Sequence, residues 1–225
     1  MLSSRVKIVT CQTVGEELKP LLPDDFEMVM LEYGLHNVPE NLHIQLQQAI
    51  DSTSQDVGTI LLGYGMCANA VMGLSSRTFR LVIPKADDCI TLFLGSRQEY
   101  LRQFKEAPGT FYLTKGWIEC GDDPYTVYCA LRDKYGHEKA YRITKHYIGN
   151  YTRLALINTG NYNSAAYHKY ARMVADYFDL TYEEIPGSNT LLNKLIQFDW
   201  DDDFVIVEPG ERVRYDMFYS TNQIK

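Results

Sequence analysis

Val57-Gly58-Thr59-Ile60-Leu61-Leu62-Gly63-Tyr64-Gly65-Met66-Cys67-Ala68 decides how this chain folds. Its first half is a short run that becomes wholly apolar at its end, the pattern of a strand buried on both faces. Such a strand belongs to a parallel sheet with helices above and below it. The run breaks at Gly63 and Gly65 and then delivers a thiol, Cys67.

Working outward, the same grammar repeats. Arg5–Cys11 reads as a strand that ends in a cysteine, followed by a short helix over 14–22. Residues 26–31 form a second strand. Pro39 then opens a helix in which Leu42, Leu46, Ala49 and Ile50 recur at helical spacing. Residues 79–83 make a fourth strand, which runs through Pro84-Lys85-Ala86-Asp87-Asp88 to Cys89 and a helix reaching 104. After a short strand at 110–114, a polar, tyrosine-rich helix or helix pair spans 124–148 and reads as a bridge. Beyond it come a strand (Arg153–Asn158), a helix (164–178), a strand (181–185), a helix (191–198) and a last strand (Phe204–Val207).

Alternating strands and helices predict a three-layer α/β/α protein with a mainly parallel sheet, in two Rossmann-like halves. The first half, 1–115, carries the cysteines. The second, 116–225, holds the helical bridge and a smaller α/β half, with a soft boundary between 115 and 150 that also allows one compact domain.

With 225 residues, 45% of them hydrophobic, the chain can bury a sizeable core. A net charge of −7 argues against sequence-independent nucleic-acid binding, which needs a positive face. No apolar stretch approaches the ~20 residues of a membrane span. The segment Met1-Leu2-Ser3-Ser4-Arg5 lacks the apolar core of a signal peptide. The expected setting is the cytoplasm, where five cysteines serve as thiols, ligands or catalysts rather than disulfides. The motifs of P-loop NTPases, nucleophile-elbow hydrolases and His-Glu-x-x-His metalloproteases are absent, as is the Asp-x-His-x-x-Gly of corrinoid carriers.

Three of the cysteines, Cys11, Cys67 and Cys89, each stand just past a predicted strand. Parallel strands would bring all three sulfurs out at one sheet edge, where α/β folds build their ligand sites. Three converging thiolates suit an iron–sulfur cluster or zinc, with His36 as the fourth ligand or that position left open. In the same frame Lys85 and the amides around Gly63 and Gly65 would balance negative charge, while Trp117 and the loop from Asn158 to Asn163 would border a pocket for a small-molecule substrate.

Two other readings use the same residues. Cys67 or Cys89 could act as a metal-free nucleophile with His36 or Asp88 as base. The dipole of a helix beginning at Gly63–Ala68 would then lower the Cys67 pKa. Residues 63–68 also match G-x-G-x-x-A, with Asp87 and Asp88 about twenty residues on, the nominal dinucleotide fingerprint. Asp88 reads equally as a helix cap, and His43 as a surface residue of the 39–50 helix.

The ordered set Leu35-His36-Asn37-Val38-Pro39-Glu40, Leu62-Gly63-Tyr64-Gly65-Met66-Cys67, Ile83-Pro84-Lys85-Ala86-Asp87-Asp88-Cys89, Leu94-Gly95-Ser96 and Thr114-Lys115-Gly116-Trp117 resembles domain-of-unknown-function family 1638. Ile185-Pro186-Gly187-Ser188 and Asp199-Trp200-Asp201 fit as well. The resemblance leads one to expect glycine after the first and second cysteines, where this chain has Gln12 and Ala68. It implies a one-carbon, corrinoid setting. A corrinoid protein or methyltransferase would then be the partner, which also allows a non-catalytic accessory role.

Overall fold

The computed structural model describes residues 5–23 and 26–219; the signal-peptide reading of residues 1–4 lies outside them. In chain order the elements are β1 (Arg5–Cys11), α1 (Gln12–Leu18), β2 (Glu27–Leu31), α2 (Pro39–Asp51), β3 (Val57–Gly63), β4 (Arg80–Pro84), α3 (Cys89–Leu94), α4 (Arg97–Glu106) and β5 (Thr110–Leu113). Next come α5 (Lys115–Cys120), α6 (Pro124–Tyr135), α7 (His137–Tyr147), β6 (Arg153–Asn158), α8 (Ala165–Tyr177), β7 (Thr181–Pro186), α9 (Thr190–Ile196) and β8 (Phe204–Val207). A 3₁₀ turn at Leu35–Asn37 leads into α2.

The chain is of the expected α/β class, and its strands fall into two sheets. The first has the order β2-β1-β3-β4-β8, parallel except for β8, which runs antiparallel at the edge beside β4. The second is a parallel sheet of order β5-β6-β7. Two compact units result, one of Met1–Arg97 with Ser188–Lys225, the other of Gln98–Gly187. This differs from a division at 115, because the C-terminal segment returns to the first sheet. There β8 pairs with β4, and α9 packs on β3 and β4. The helices α6 and α7 are likewise no bridge. They pack on each other inside the second unit, where Tyr128 is buried and Tyr125, Tyr141 and Tyr177 border the same core.

The apolar run of β3 is buried as its composition demands. Val9 of β1 is in register with Leu62, and Ile60 with Leu81 of β4. These four side chains form one cluster with Leu42, Leu46, Ala49 and Ile50 of α2. Ile8, Leu61 and Val82 alternate to the opposite face and are fully buried too. Burying each such side chain contributes about 1.5–3 kcal/mol, so the central strands anchor the first unit from both sides.

Two helix boundaries depart from the periodicity for one physical reason. The helix expected from 88 to 104 stops at Leu94, because Gly95 adopts a left-handed φ of 79° and caps α3. The run 124–148 divides at Gly136, also at a φ of 79°. Glycine alone pays little for that conformation.

Candidate functional site

The order β2-β1-β3-β4 contains a switch point. The chain leaves β1 towards β2 on one side, then crosses to β3 on the other. Such a switch point, at the carboxyl ends of β1 and β3, is where open α/β sheets as a rule bind ligands. Cys11 ends β1, and Cys67 stands four residues beyond the end of β3.

Each thiol is held differently. Cys11 caps α1, its sulfur accepting from the Val14 amide at 3.5 Å. Cys89 is the first residue of α3, whose cap is Asp88: its Oδ1 accepts from the amides of Ile90 and Thr91 at 3.0 and 3.3 Å. The capping reading of Asp88 is thus observed. Cys67 lies in a loop fastened to the loop after β4, since the Met66 amide donates to Ala86 at 2.8 Å and the Cys67 amide to Asp87 at 3.0 Å. All five cysteines are reduced, and none joins another in a disulfide.

Electrostatics tie the three together. Burial pushes the Cys67 thiol well above its usual value, and the charges of Cys11 and Asp88 push it further. Burial likewise raises Cys89, with Cys11, Asp88 and Cys67 adding to it. Burial also raises the Asp88 carboxyl, against the two amides that it accepts from. These are thiols held neutral at physiological pH. The expected lowering of Cys67 by a helix dipole does not occur, because no helix starts there.

The chain leaves β3 in a left-handed turn instead. Cys67, Ala68 and Asn69 have φ of 45°, 55° and 69°, and the Ala70 amide closes the turn on the Cys67 carbonyl at 3.2 Å. Asn tolerates this conformation, but Cys67 and Ala68 cost about 1–2 kcal/mol each, strain that must be offset by the surroundings. His43 supplies part of the offset: its Nδ1 donates to the Ala70 carbonyl at 2.9 Å, so it is an anchor rather than a surface residue. The same turn removes the dinucleotide reading, which needs a helix N-terminus to receive the phosphates. The two glycines serve packing. A Cβ on Gly63 would lie 2.5 Å from Thr10 Oγ1, and one on Gly65 would lie 2.5 Å from the Ala86 carbonyl oxygen.

The remaining expected residues sit on other elements. His36 is exposed in the 3₁₀ turn, its ring edge-on to Tyr33. Lys85 fixes β8 through its backbone, its amide donating to Asp203 at 2.7 Å. Trp117 and Asn158 belong to the second unit. Trp117 packs against that unit's core, while Asn158 donates to Glu184 at 2.8 Å and accepts from the Gly160 amide at 3.0 Å. Among the described residues no three His, Cys, Asp or Glu side chains stand as a ready-made metal cage.

The sequence did not show the partners of Asp87, nor the surroundings of Tyr64. Asp87 accepts from the Tyr219 hydroxyl and pairs with Arg97 at 3.5 Å, and that guanidinium lies 4.7 Å from the Tyr219 ring centre. Tyr64, in the loop between β3 and Cys67, is 3% exposed with no hydrogen-bond partner for its hydroxyl. The only signal for it was an aromatic residue set between two glycines.

The first unit is thus an α/β domain with a mostly parallel sheet whose carboxyl edge carries three cysteines. The chain belongs to the family described as protein of unknown function (DUF1638), whose model matches residues 30–196 and takes in Cys67 and Cys89. No curated protein and no solved structure matches it.

Proposed function

We propose that Cys11, Cys67 and Cys89 hold a soft metal, as zinc or an iron–sulfur cluster, at the carboxyl edge of the first sheet, with one coordination position open to a small-molecule substrate. The observation that carries this reading is the placement of three cysteines past the carboxyl ends of three parallel strands of one sheet, Cys11 closing β1, Cys67 after β3 and Cys89 after β4. Burial opposes ionisation of Cys67 and Cys89, and the neighbouring sulfurs and Asp88 add to it. A bound cation removes that penalty, and as each sulfur bonds the metal its proton passes to solvent. Because the thiols are not preassembled as a cage, binding must draw the sulfurs together by side-chain rotation. The left-handed turn at Cys67 holds one of them on a backbone that other contacts fix.

A metal-free nucleophile is less well supported. Attack needs a thiolate, yet Cys67 and Cys89 are held neutral, His36 is exposed, and Asp88 Oδ1 is occupied by two amides. We place the protein in the cytoplasm, and keep the one-carbon setting with a corrinoid protein or methyltransferase as its context. No described helix is long and apolar enough to cross a membrane.

The test is anaerobic purification followed by reconstitution with zinc, or with iron and sulfide. One zinc per chain, or a cluster absorbing near ~400 nm with matching sulfide, is the expected result. Protein that retains neither after desalting overturns the reading.

A further inference from the structure

The loops before β3 and β4 and the segment after β8 border a cavity of about 460 Å³ at the amino edge of the first sheet, away from the three cysteines. Arg77, Arg212, Ser76, Thr78 and Asp51 are among the residues that line it. Backbone bonds fix the frame: the Gly73 amide donates to Val213 and the Val213 amide to Leu74, both at 2.9 Å, and the Gly210 amide to Ser76 at 2.7 Å. Ser75 and Arg212 form an antiparallel bridge, and the Gln47 side chain holds Ser75 by both its carbonyl and its amide. Arg77 and Arg212 thus rise from two segments fastened side by side.

The chain is acidic, with a net charge of −7, and the arginines nearby find carboxylates: Arg80 pairs with Glu208 at 2.9 Å and Arg214 with Asp216 at 3.0 Å. Among the described residues, Arg77 and Arg212 have no ion pair and no side-chain hydrogen bond. Glu211 does not serve them, since its Oε2 accepts from the Glu208 amide at 3.3 Å. Nor does Asp51, whose Oδ1 accepts from Gln47 at 2.9 Å. The Ser76 hydroxyl accepts from the amides of Thr78 and Phe79 at 3.1 and 2.8 Å. Among the described residues it donates to nothing, so its proton is unused.

We propose that this cavity binds a phosphate monoester of a hydroxylated small molecule, with Arg77 and Arg212 holding the phosphate. The inference is independent of the metal reading above. A guanidinium fork suits carboxylate and phosphate alike, and one arginine already satisfies a carboxylate through two parallel bonds. Two arginines and the spare Ser76 proton offer more donors than a carboxylate accepts. They match the three terminal oxygens and nearly double charge of a phosphate monoester. Asp51, when ionised, can only accept. It repels the phosphate and takes a hydroxyl proton from the rest of the ligand, which sets the two ends apart. The volume lies within the range of small-molecule pockets.

The test is calorimetric titration of the full-length protein with ribose 5-phosphate, inorganic phosphate and ribose, at matched ionic strength. Ribose 5-phosphate should bind once per chain and more tightly than inorganic phosphate, and ribose should not bind. Arg77→Gln and Arg212→Gln should each weaken ribose 5-phosphate about 10–100-fold. Asp51→Asn should weaken it too, while inorganic phosphate binds as well as before or better. Both arginines are exposed, so the Gln variants should unfold at the wild-type urea concentration. If one does not fold, Arg77→Lys and Arg212→Lys keep the charge, lose the fork and should still weaken binding. No binding of either phosphate compound at about 10 mM, or an affinity unchanged in both arginine variants, overturns the site. Inorganic phosphate that binds as tightly as the ester overturns the assignment of a monoester.

Discussion

The Cys67 amide donates to the Asp87 carbonyl at 3.0 Å. This one bond fastens the loop after β3 to the loop after β4. It sets the sulfur-bearing residue of one loop beside Asp88 and Cys89 of the other, so their coupling is built into the backbone.

Gly65 makes that fastening possible. A Cβ there would lie 2.5 Å from the Ala86 carbonyl oxygen, the acceptor of the Met66 amide. Gly65→Ala should therefore cost about 1–3 kcal/mol by overpacking, read as a lower urea midpoint with unchanged m-value. A midpoint equal to wild type would show that the two loops are not locked.

Ala68 sits at φ 55° where glycine would be unstrained. Removing about 1–2 kcal/mol of left-handed strain outweighs the ~0.4–1 kcal/mol of extra chain entropy that glycine brings to the unfolded state. Ala68→Gly should thus stabilise the fold by up to about 1 kcal/mol. Thermal unfolding of the pair checks the sign.

Much of the first sheet was legible because its strands are defined by composition. The apolar runs ending at Leu62 and Ile83 can only be buried, and each cysteine comes after such a run. The turn at Cys67–Asn69 was not legible, because only Asn69 is of a type that favours left-handed backbone, and the G-x-G-x-x-A match pointed to a helix instead. The return of β8 to β4 was hidden for another reason: pairing across more than a hundred residues leaves no local trace. Tyr64 was hidden because an unpaired hydroxyl is a property of its surroundings, and a sequence shows only the ring.

Asp88 has two roles that substitutions separate. Asp88→Ala loses the cap on α3 and should cost about 0.5–2 kcal/mol. Asp88→Asn keeps an acceptor for the Ile90 and Thr91 amides and removes a buried charge, so its stability should equal or exceed wild type at neutral pH. Chemical denaturation of both variants decides it. An Asn variant as unstable as the Ala variant would mean that the charge itself is needed.

The raised thiols set a pH dependence. Below the ordinary thiol value of 9.0, folded and unfolded chains both keep the protons of Cys67 and Cys89. Above it, the unfolded chain releases them while the folded chain retains them. By linkage, stability must then fall as pH rises past about 9. The metal-free Cys67→Ser/Cys89→Ser double variant should lose less stability than wild type between pH 8 and about 10.5. Parallel curves for the two proteins would contradict the raised values.

X-ray absorption at the zinc or cobalt edge of the anaerobically loaded protein tests the central claim most directly, because it counts sulfur neighbours. We predict three sulfurs at about 2.3 Å in wild type, with one fewer in each of Cys11→Ser, Cys67→Ser and Cys89→Ser. A shell of nitrogen and oxygen alone, or an unchanged shell in all three variants, would contradict the assignment of this edge as a thiolate metal site.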